Sequence, residues 1–198
     1  MTLRRLRRIE LPVDTVALAR FLIGRTLVRE LPKTGIIGRI VETEAYLPND
    51  AACHAFKGLT QRNRALFLEH GHAYVYFIYG NHFMLNVSGD KEGVGAGVLL
   101  RALEPLDGVE LMKKRRGKVR PQDLARGPGR LAAALRVNRQ LDGLDLCAAG
   151  PLWLGEAVRP VGRIGRSVRI GITRDAHRPL RFYERGNPFV SGPKRLRG

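Results

Sequence analysis

Two carboxylates, Glu42 and Glu44, lie in the run Gly38-Arg-Ile-Val-Glu-Thr-Glu-Ala-Tyr46. The run is rich in β-branched residues and ends near Pro48-Asn49-Asp50, which predicts a strand running into a loop. Alternation along that strand puts Ile40, Glu42, Glu44 and Tyr46 on one face. Val41, Thr43 and Ala45 fall on the other, a small apolar face that suits a core. Acidic side chains are depleted in strands and avoid burial unless paired. Two of them beside a phenol have two readings. One is a solvated strand face with Arg39 as the nearby partner. The other is a carboxylate held for chemistry, accepting a proton from water or stabilising positive charge on a sugar. Alternation alone does not separate Glu42 from Glu44.

Four of the five tyrosines fall between positions 46 and 79. The segment Ala73-Tyr-Val-Tyr-Phe-Ile-Tyr79 carries the strongest strand signal, with Tyr74, Tyr76 and Ile78 on one face and Val75, Phe77 and Tyr79 on the other. Gly80-Asn81 is a turn and His82–Ser88 the return strand, so Tyr79 belongs at a hairpin tip. Aromatic hairpins commonly serve only cross-strand packing. A large ring at a projecting tip also suits insertion between stacked bases. Arg101 sits in the apolar strand Val98–Leu103 and needs an anion, either Glu44 or a phosphate.

The rest of the chain must position these groups. Its 198 residues suffice for one domain with a real core. Residues 1–9 are Arg-rich, lack the apolar stretch of a secretory signal and are read as a basic arm or first strand. No apolar run spans a membrane. Two distant cysteines, Cys53 and Cys147, exclude a disulfide framework and an all-Cys metal site, and point to a reducing compartment. The formal charge is +17, from 35 basic and 18 acidic residues, and 28 of the basic ones are Arg. Such an excess favours a polyanionic partner.

In order, Asp14 caps a helix with Ala17, Leu18, Phe21 and Leu22 as its apolar stripe, ending at Gly24. Thr26–Leu31 is a strand, Pro32–Gly35 a turn, and the carboxylate strand completes a hairpin. Residues 48–64 are irregular and carry His54 and Lys57. The Gly-rich stretch 89–97 lacks the spacing of a nucleotide-binding fingerprint. Helices are expected at 108–116 and after Gly127-Pro-Gly129, and strands at Trp153–Leu154, Val168–Ile172 and within 178–190.

The runs Gly38–Tyr46, Arg62-Asn-Arg64, Tyr74–Gly80, Asn86-Val-Ser88, Val98–Pro105, Gly127–Leu131, Pro179–Tyr183 and Asn187–Ser191 together resemble the alkyladenine (3-methyladenine, methylpurine) DNA glycosylases over roughly residues 10 to 192. The resemblance implies a single mixed α/β (α+β) domain, mainly an antiparallel curved sheet with surrounding helices and a protruding β-hairpin. It implies removal of alkylated or deaminated purines, of the 3-methyladenine, 7-methylguanine, ethenoadenine and hypoxanthine class, by flipping and hydrolysis to an abasic site. It selects Glu44 as general base and Arg101 and the Ile170 backbone as holders of the attacking water. Tyr46, His54 and Tyr76 become base-pocket walls, Asn86 the residue that disfavours guanine's amino group, and Tyr79 the intercalating wedge.

By the same resemblance the enzyme is monofunctional. It uses water rather than a Schiff base on Lys57 or Lys91, and needs no metal or other cofactor. Its expected partner is damaged double-stranded DNA, met as a monomer, cytoplasmic and nucleoid-associated, in a bacterium. The competing reading is a non-enzymatic basic nucleic-acid-binding protein, which explains the charge but not two carboxylates among tyrosines. A carbohydrate hydrolase fits carboxylates and aromatics but not the charge.

Overall fold

A computed structural model describes residues 3–32 and 34–194 of the chain. Asp14 starts α1 (Thr15–Leu22) by accepting a hydrogen bond from the Ala17 amide at 2.7 Å. The expected hairpin follows, from β1 (Arg25–Leu31) to β2 (Thr34–Tyr46), though β2 already begins inside the expected turn. β3 (Ala73–Ile78) and β4 (His82–Ser88) form the aromatic hairpin. β5 (Gly97–Asp107) outlasts the expected Val98–Leu103 by running on through Pro105 beside β2. Then come α2 (Val109–Arg116), α3 (Pro128–Leu135), β6 (Leu152–Ala157), β7 (Ile164–Ser167) and β8 (Arg181–Glu184).

The eight strands make one curled antiparallel sheet in the order β3-β4-β5-β2-β1-β6, with β8 joining β2 and β7. β2 is the spine. One edge pairs with β5, while the other pairs with β1 in its first half and with β8 at Glu42–Glu44. Helices cover one face, where Leu18, Leu22, Leu131, Leu135 and Met112 pack on Ile36, Ile40, Val75, Leu85, Leu100 and Leu103. The result is a single compact domain of mixed α/β type. Among the described residues no helix is long and apolar enough to cross a membrane. Near the N-terminus, Arg5 makes an isolated bridge to Gly155 and Arg8–Glu10 forms a 3-10 turn.

Two features of β2 depart from simple alternation. Ile40 pairs with Leu103, Glu42 with Ala102 and Thr43 with Leu100. The pairing therefore skips Val41 on β2 and Arg101 on β5, two bulges that offset each other. A bulge lets two consecutive side chains share a face and re-aims the extra one. Ile40 accordingly joins the helix-covered core, whereas Val41 clusters with Ala102, Tyr183 and Val190. The alternation expected for these two residues is overturned. The face of Glu42 and Glu44 is not solvated either, because both carboxylates are completely buried. Arg39 is not their partner. It is buried against Glu184 on β8, donating to Oε1 at 2.7 Å and also to Oε2, with Glu104 3.5 Å away.

The strand expected at Val168–Ile172 is absent: the strand is β7, ending at Ser167, and 168–172 bends away. Arg169 pulls the backbone off the sheet edge by pairing with buried Asp50, and Gly171 takes a φ of +78°.

The Arg39–Glu184 pair tests the spine. Burial opposes ionisation of Glu184, yet Arg39, the Gly162 amide and Asn187 hold its carboxyl down at about 2. Since the folded value lies below the ordinary one, its stabilisation is complete above the ordinary carboxylate range and fades as pH falls toward about 2. Glu184→Gln should cost up to about 3–5 kcal/mol in urea unfolding at neutral pH by leaving Arg39 buried with Glu104, 3.5 Å away, in place of its two-pronged partner. The wild-type advantage should shrink in acid.

Candidate active site

The sheet face opposite the helices, with the 46–54 loop and the 168–172 bend, encloses a cavity of about 380 Å³. Tyr46, His54, Tyr74, Tyr76, Ile78 and Tyr79 supply most of its rings and apolar wall. Met84, Asn86, Leu99, Arg101, Pro128 and Ile170 complete the essential lining. Alternation explains much of it. Tyr74, Tyr76 and Ile78 come from one face of β3, and Met84 and Asn86 from one face of β4.

Of the residues the resemblance selects, Tyr46, His54, Tyr76, Tyr79, Asn86, Arg101 and Ile170 line this cavity. Glu44 itself lies one layer behind the wall, and the groups holding it are the wall. Its Oε1 accepts from the Ile170 amide at 2.7 Å. Its Oε2 accepts from the Tyr46 hydroxyl at 2.9 Å and from Arg101 Nη1 at 3.2 Å. Ile170 is thus bonded through its N–H to the carboxylate directly.

Glu42 is placed differently. Its Oε1 accepts from Arg101 Nε at 2.9 Å and Arg181 Nε at 2.7 Å, and its Oε2 from the Ser191 amide at 2.6 Å. It does not line the cavity. The two carboxyls are driven apart in acidity. Burial opposes both charges, but at Glu42 the Arg101 and Arg181 guanidiniums win and hold the carboxyl below its usual range. At Glu44 burial wins over Arg101, the Ile170 amide and Tyr46, so its carboxyl is raised. Neighbouring acids pushed apart by their surroundings take different roles. This distinguishes the pair that alternation left equivalent.

The aromatic wall is neutral. Burial, then Glu44, push the Tyr46 phenol far up, so it remains an O–H donor. Tyr76 is pushed up to about 12 for the same reasons. His54 stands at the rim, with Nδ1 2.9 Å from the Tyr74 hydroxyl and its ring 4.4 Å from that of Tyr76. Removal from water on that side, then Arg62, lower its pKa and favour neutral imidazole. Asn86 donates Nδ2 to the Tyr74 carbonyl at 3.1 Å, which fixes its amide at the floor. Cys53 is buried beside the cavity with its thiol pushed up to about 11, a packing group rather than a nucleophile. Tyr79 projects at the hairpin tip, 75% exposed, with a φ of +56°.

Several members were missed in the sequence. Arg169 donates to the Ala45 carbonyl at 2.9 Å and to Asp50 Oδ1 at 2.9 Å, and its guanidinium lies 4.5 Å from the Tyr46 ring centre. It ties the Ile170 bend to the end of β2. Arg181, Ser191 and Tyr74 also had no assigned part. Arg169, Arg181 and Ser191 come from segments far from Glu44 in sequence, and sheet pairing together with the buried polar bonds joins them. Among the described residues, no group of three or more His, Cys, Asp or Glu is arranged to hold a metal ion.

A family model described as methylpurine-DNA glycosylase matches residues 10–188. The chain is 65% identical over 189 residues to a provisionally named 3-methyladenine DNA glycosylase of Mesorhizobium japonicum, covering 96% of this chain and 91% of that protein. A protein of the same name from Paraburkholderia phytofirmans is 52% identical over 189 residues, with 96% and 89% covered. One from Methanocella arvoryzae is 48% identical over 184 residues, with 89% and 90% covered.

The Tyr46–Glu44 hydrogen bond favours the ionised carboxylate. In Tyr46→Phe the Glu44 carboxyl should therefore titrate at higher pH than in the wild type. Carbon-13 NMR of labelled glutamate carboxyls, with Glu44→Gln to identify the signal, measures the change.

Proposed function

The chain belongs to the methylpurine-DNA glycosylase family, DNA-acting hydrolases of N-glycosyl bonds, and from that premise we propose how its cavity works and on what. The cavity receives a purine turned out of duplex DNA, alkylated or deaminated, of the 3-methyladenine, 7-methylguanine, ethenoadenine and hypoxanthine class. The observation that carries this is the raised, buried Glu44 held by three groups of an aromatic-walled cavity of about 380 Å³. That volume suits a single base rather than a sugar chain.

A base stacked in the duplex is out of reach and must be extruded, at roughly a few kcal/mol. Tyr79, exposed at the tip of the β3–β4 hairpin, fills the space left in the stack. Tyr46 and Tyr76 receive the base with their ring faces, worth about 1–3 kcal/mol per base in single-strand precedents. An alkylated purine carries positive charge, gains further from those faces, and leaves readily. Asn86, fixed at the floor, crowds the edge where guanine bears its amino group. Neutral His54 at the rim serves as a hydrogen-bond partner for the base.

Water taken up in the cavity beside Arg101 meets the Glu44 carboxylate at the wall. Arg101 orients it, with the Ile170 backbone bracing the carboxylate. Glu44 then takes its proton as the oxygen bonds to the anomeric carbon and the base departs with the bonding electron pair. The same carboxylate steadies the oxocarbenium-like sugar. Lys57 and Lys91 are exposed, and no lysine lines the cavity among the described residues, which supports water as the nucleophile and no strand cleavage. A basic binding protein without catalysis would have no use for an enclosed carboxylate pair with divergent acidities.

Glu44→Gln should bind a hypoxanthine duplex within about threefold of wild type but excise at least about a hundredfold more slowly in single turnover. Full activity of this variant would end the assignment. Wild-type excision should rise with pH as Glu44 ionises, with the limb above the ordinary carboxylate range because burial raises its pKa. Borohydride should trap no protein–DNA adduct, and a trapped adduct would replace water by an amine.

A further inference from the structure

We propose that Glu42 is a positioning residue: it holds Arg101 back from a two-pronged grip on Glu44, and so keeps Glu44 basic enough to take a proton from water. This rests on Glu44 being the base, as proposed above.

The geometry is specific. Arg101 is the bulged residue of β5, and its guanidinium is shared among three partners. Nε goes to Glu42 Oε1 at 2.9 Å, Nη1 to Glu44 Oε2 at 3.2 Å and Nη2 to Ser191 Oγ at 3.5 Å. A guanidinium beside one buried carboxylate prefers parallel bonds to both its oxygens. Arg101 makes one bond to Glu44, and the longer of its two carboxylate bonds. Its Nε edge is taken by Glu42. Glu42 cannot follow Arg101 across, because Arg181 Nε at 2.7 Å and the Ser191 amide at 2.6 Å fix both its oxygens.

The pair is thus asymmetric by construction. Glu42 has two guanidiniums and an amide. Glu44 has part of one guanidinium, an amide and a phenol. Arg181 on β8 also donates Nη1 to Ser167 Oγ at 2.8 Å and Nη2 to the Ser191 carbonyl at 3.0 Å, so it is anchored independently.

The charged and titratable groups facing Glu44 come from several elements. They are Arg101 on β5, Tyr46 and Glu42 on β2, and Tyr76 on β3, while Arg169 reaches it only through the Tyr46 ring. Removing the Glu42 charge acts on Glu44 in one direction by two routes. A neighbouring negative charge disappears, and Arg101 is released toward Glu44. Both favour ionised Glu44 and make it a weaker base.

The test is single-turnover excision of hypoxanthine from a duplex across pH, for wild type, Glu42→Gln, Glu42→Asp and Glu44→Gln. In Glu42→Gln the rising limb should move to lower pH and the plateau rate fall by about ten- to a hundredfold, as misplaced groups do. Lesion-duplex binding should stay within about threefold of wild type. Glu42→Asp keeps the charge but withdraws it by one methylene from Arg101 and from Glu44, so its limb should move to lower pH as well, by less than in Glu42→Gln. A Glu42→Gln limb at the wild-type pH, with only the amplitude reduced, would make Glu42 merely structural and overturn the proposal.

Should Glu42→Gln not fold, Glu42→Asp decides. A limb at the wild-type pH in that variant, whatever its plateau, would overturn the proposal, and a limb moved to lower pH would support it. Activity in Glu44→Gln would instead remove the reading beneath. An inactive Glu44→Gln with an unshifted Glu42→Gln limb would remove this proposal alone.

Discussion

Two carboxylates removed from water must be matched by fixed donors, and the centre of this molecule is arranged to supply them. Glu42 and Glu44 lie on the spine strand where three strands meet: β2 itself, β5 carrying Arg101, and β8 carrying Arg181. A buried charge without a partner costs several kcal/mol. The register of all three strands is therefore tied to the ion cluster as firmly as to the apolar face. A slip of one residue on β5 would carry Arg101 to the helix-covered side, and leave Glu44 without a guanidinium and Glu42 with Arg181 alone of its two. The paired bulges at Val41 and Arg101 are the backbone's accommodation to that demand, turning one extra side chain on each strand into the same face.

The charge of the whole molecule and the chemistry of the cavity do different work. A net +17 attracts the phosphate backbone over a Debye length or more and makes binding sensitive to salt. That attraction is indifferent to sequence and to damage. Discrimination has to come from a small region where neutral rings surround a shielded acid whose charge is matched by buried arginines. On the proposed reading, a purine bearing extra positive charge is favoured twice, by the ring faces and by the carboxylate behind them. An undamaged purine gains only stacking, which it already had in the duplex.

Much of this was legible in the residues, and what was not has a physical cause. β3 and β4 follow strict alternation, so Tyr74, Tyr76, Ile78, Met84 and Asn86 face the cavity as period two requires. The Asp14 cap depends on local bonding and was equally plain. Alternation failed at Ile40 and Val41, because a bulge leaves no mark in the order of side chains and is set by the partner strand. It also failed at 168–172, where an apolar, β-branched run resembles a strand but a buried Arg169–Asp50 pair bends the chain. Ion pairs between residues 119 or 139 positions apart, such as Arg169 with Asp50 and Arg181 with Glu42, carry no local signal at all.

The hairpin links the outside of the molecule to the cavity through one short strand. Tyr76 is in the wall and Tyr79, three residues on and just past the end of β3, is at the tip. Tyr79 holds a left-handed backbone that non-glycine residues seldom adopt, a strain of about 1–3 kcal/mol kept only where surroundings impose it. Gly80 beside it, also left-handed, has open space around its Cβ position, so crowding does not force the shape. The tight turn does, and it turns the ring outward. The root of the hairpin is stiffened by the 4.9 Å Phe77–Phe83 contact and by Arg139, whose Nη1 donates to the Val75 carbonyl at 2.6 Å. On the proposed reading, the ring reaches the base stack on a support that is already ordered. On the proposed reading, each step that drives the tip into the duplex brings the Tyr76 wall toward the base being displaced.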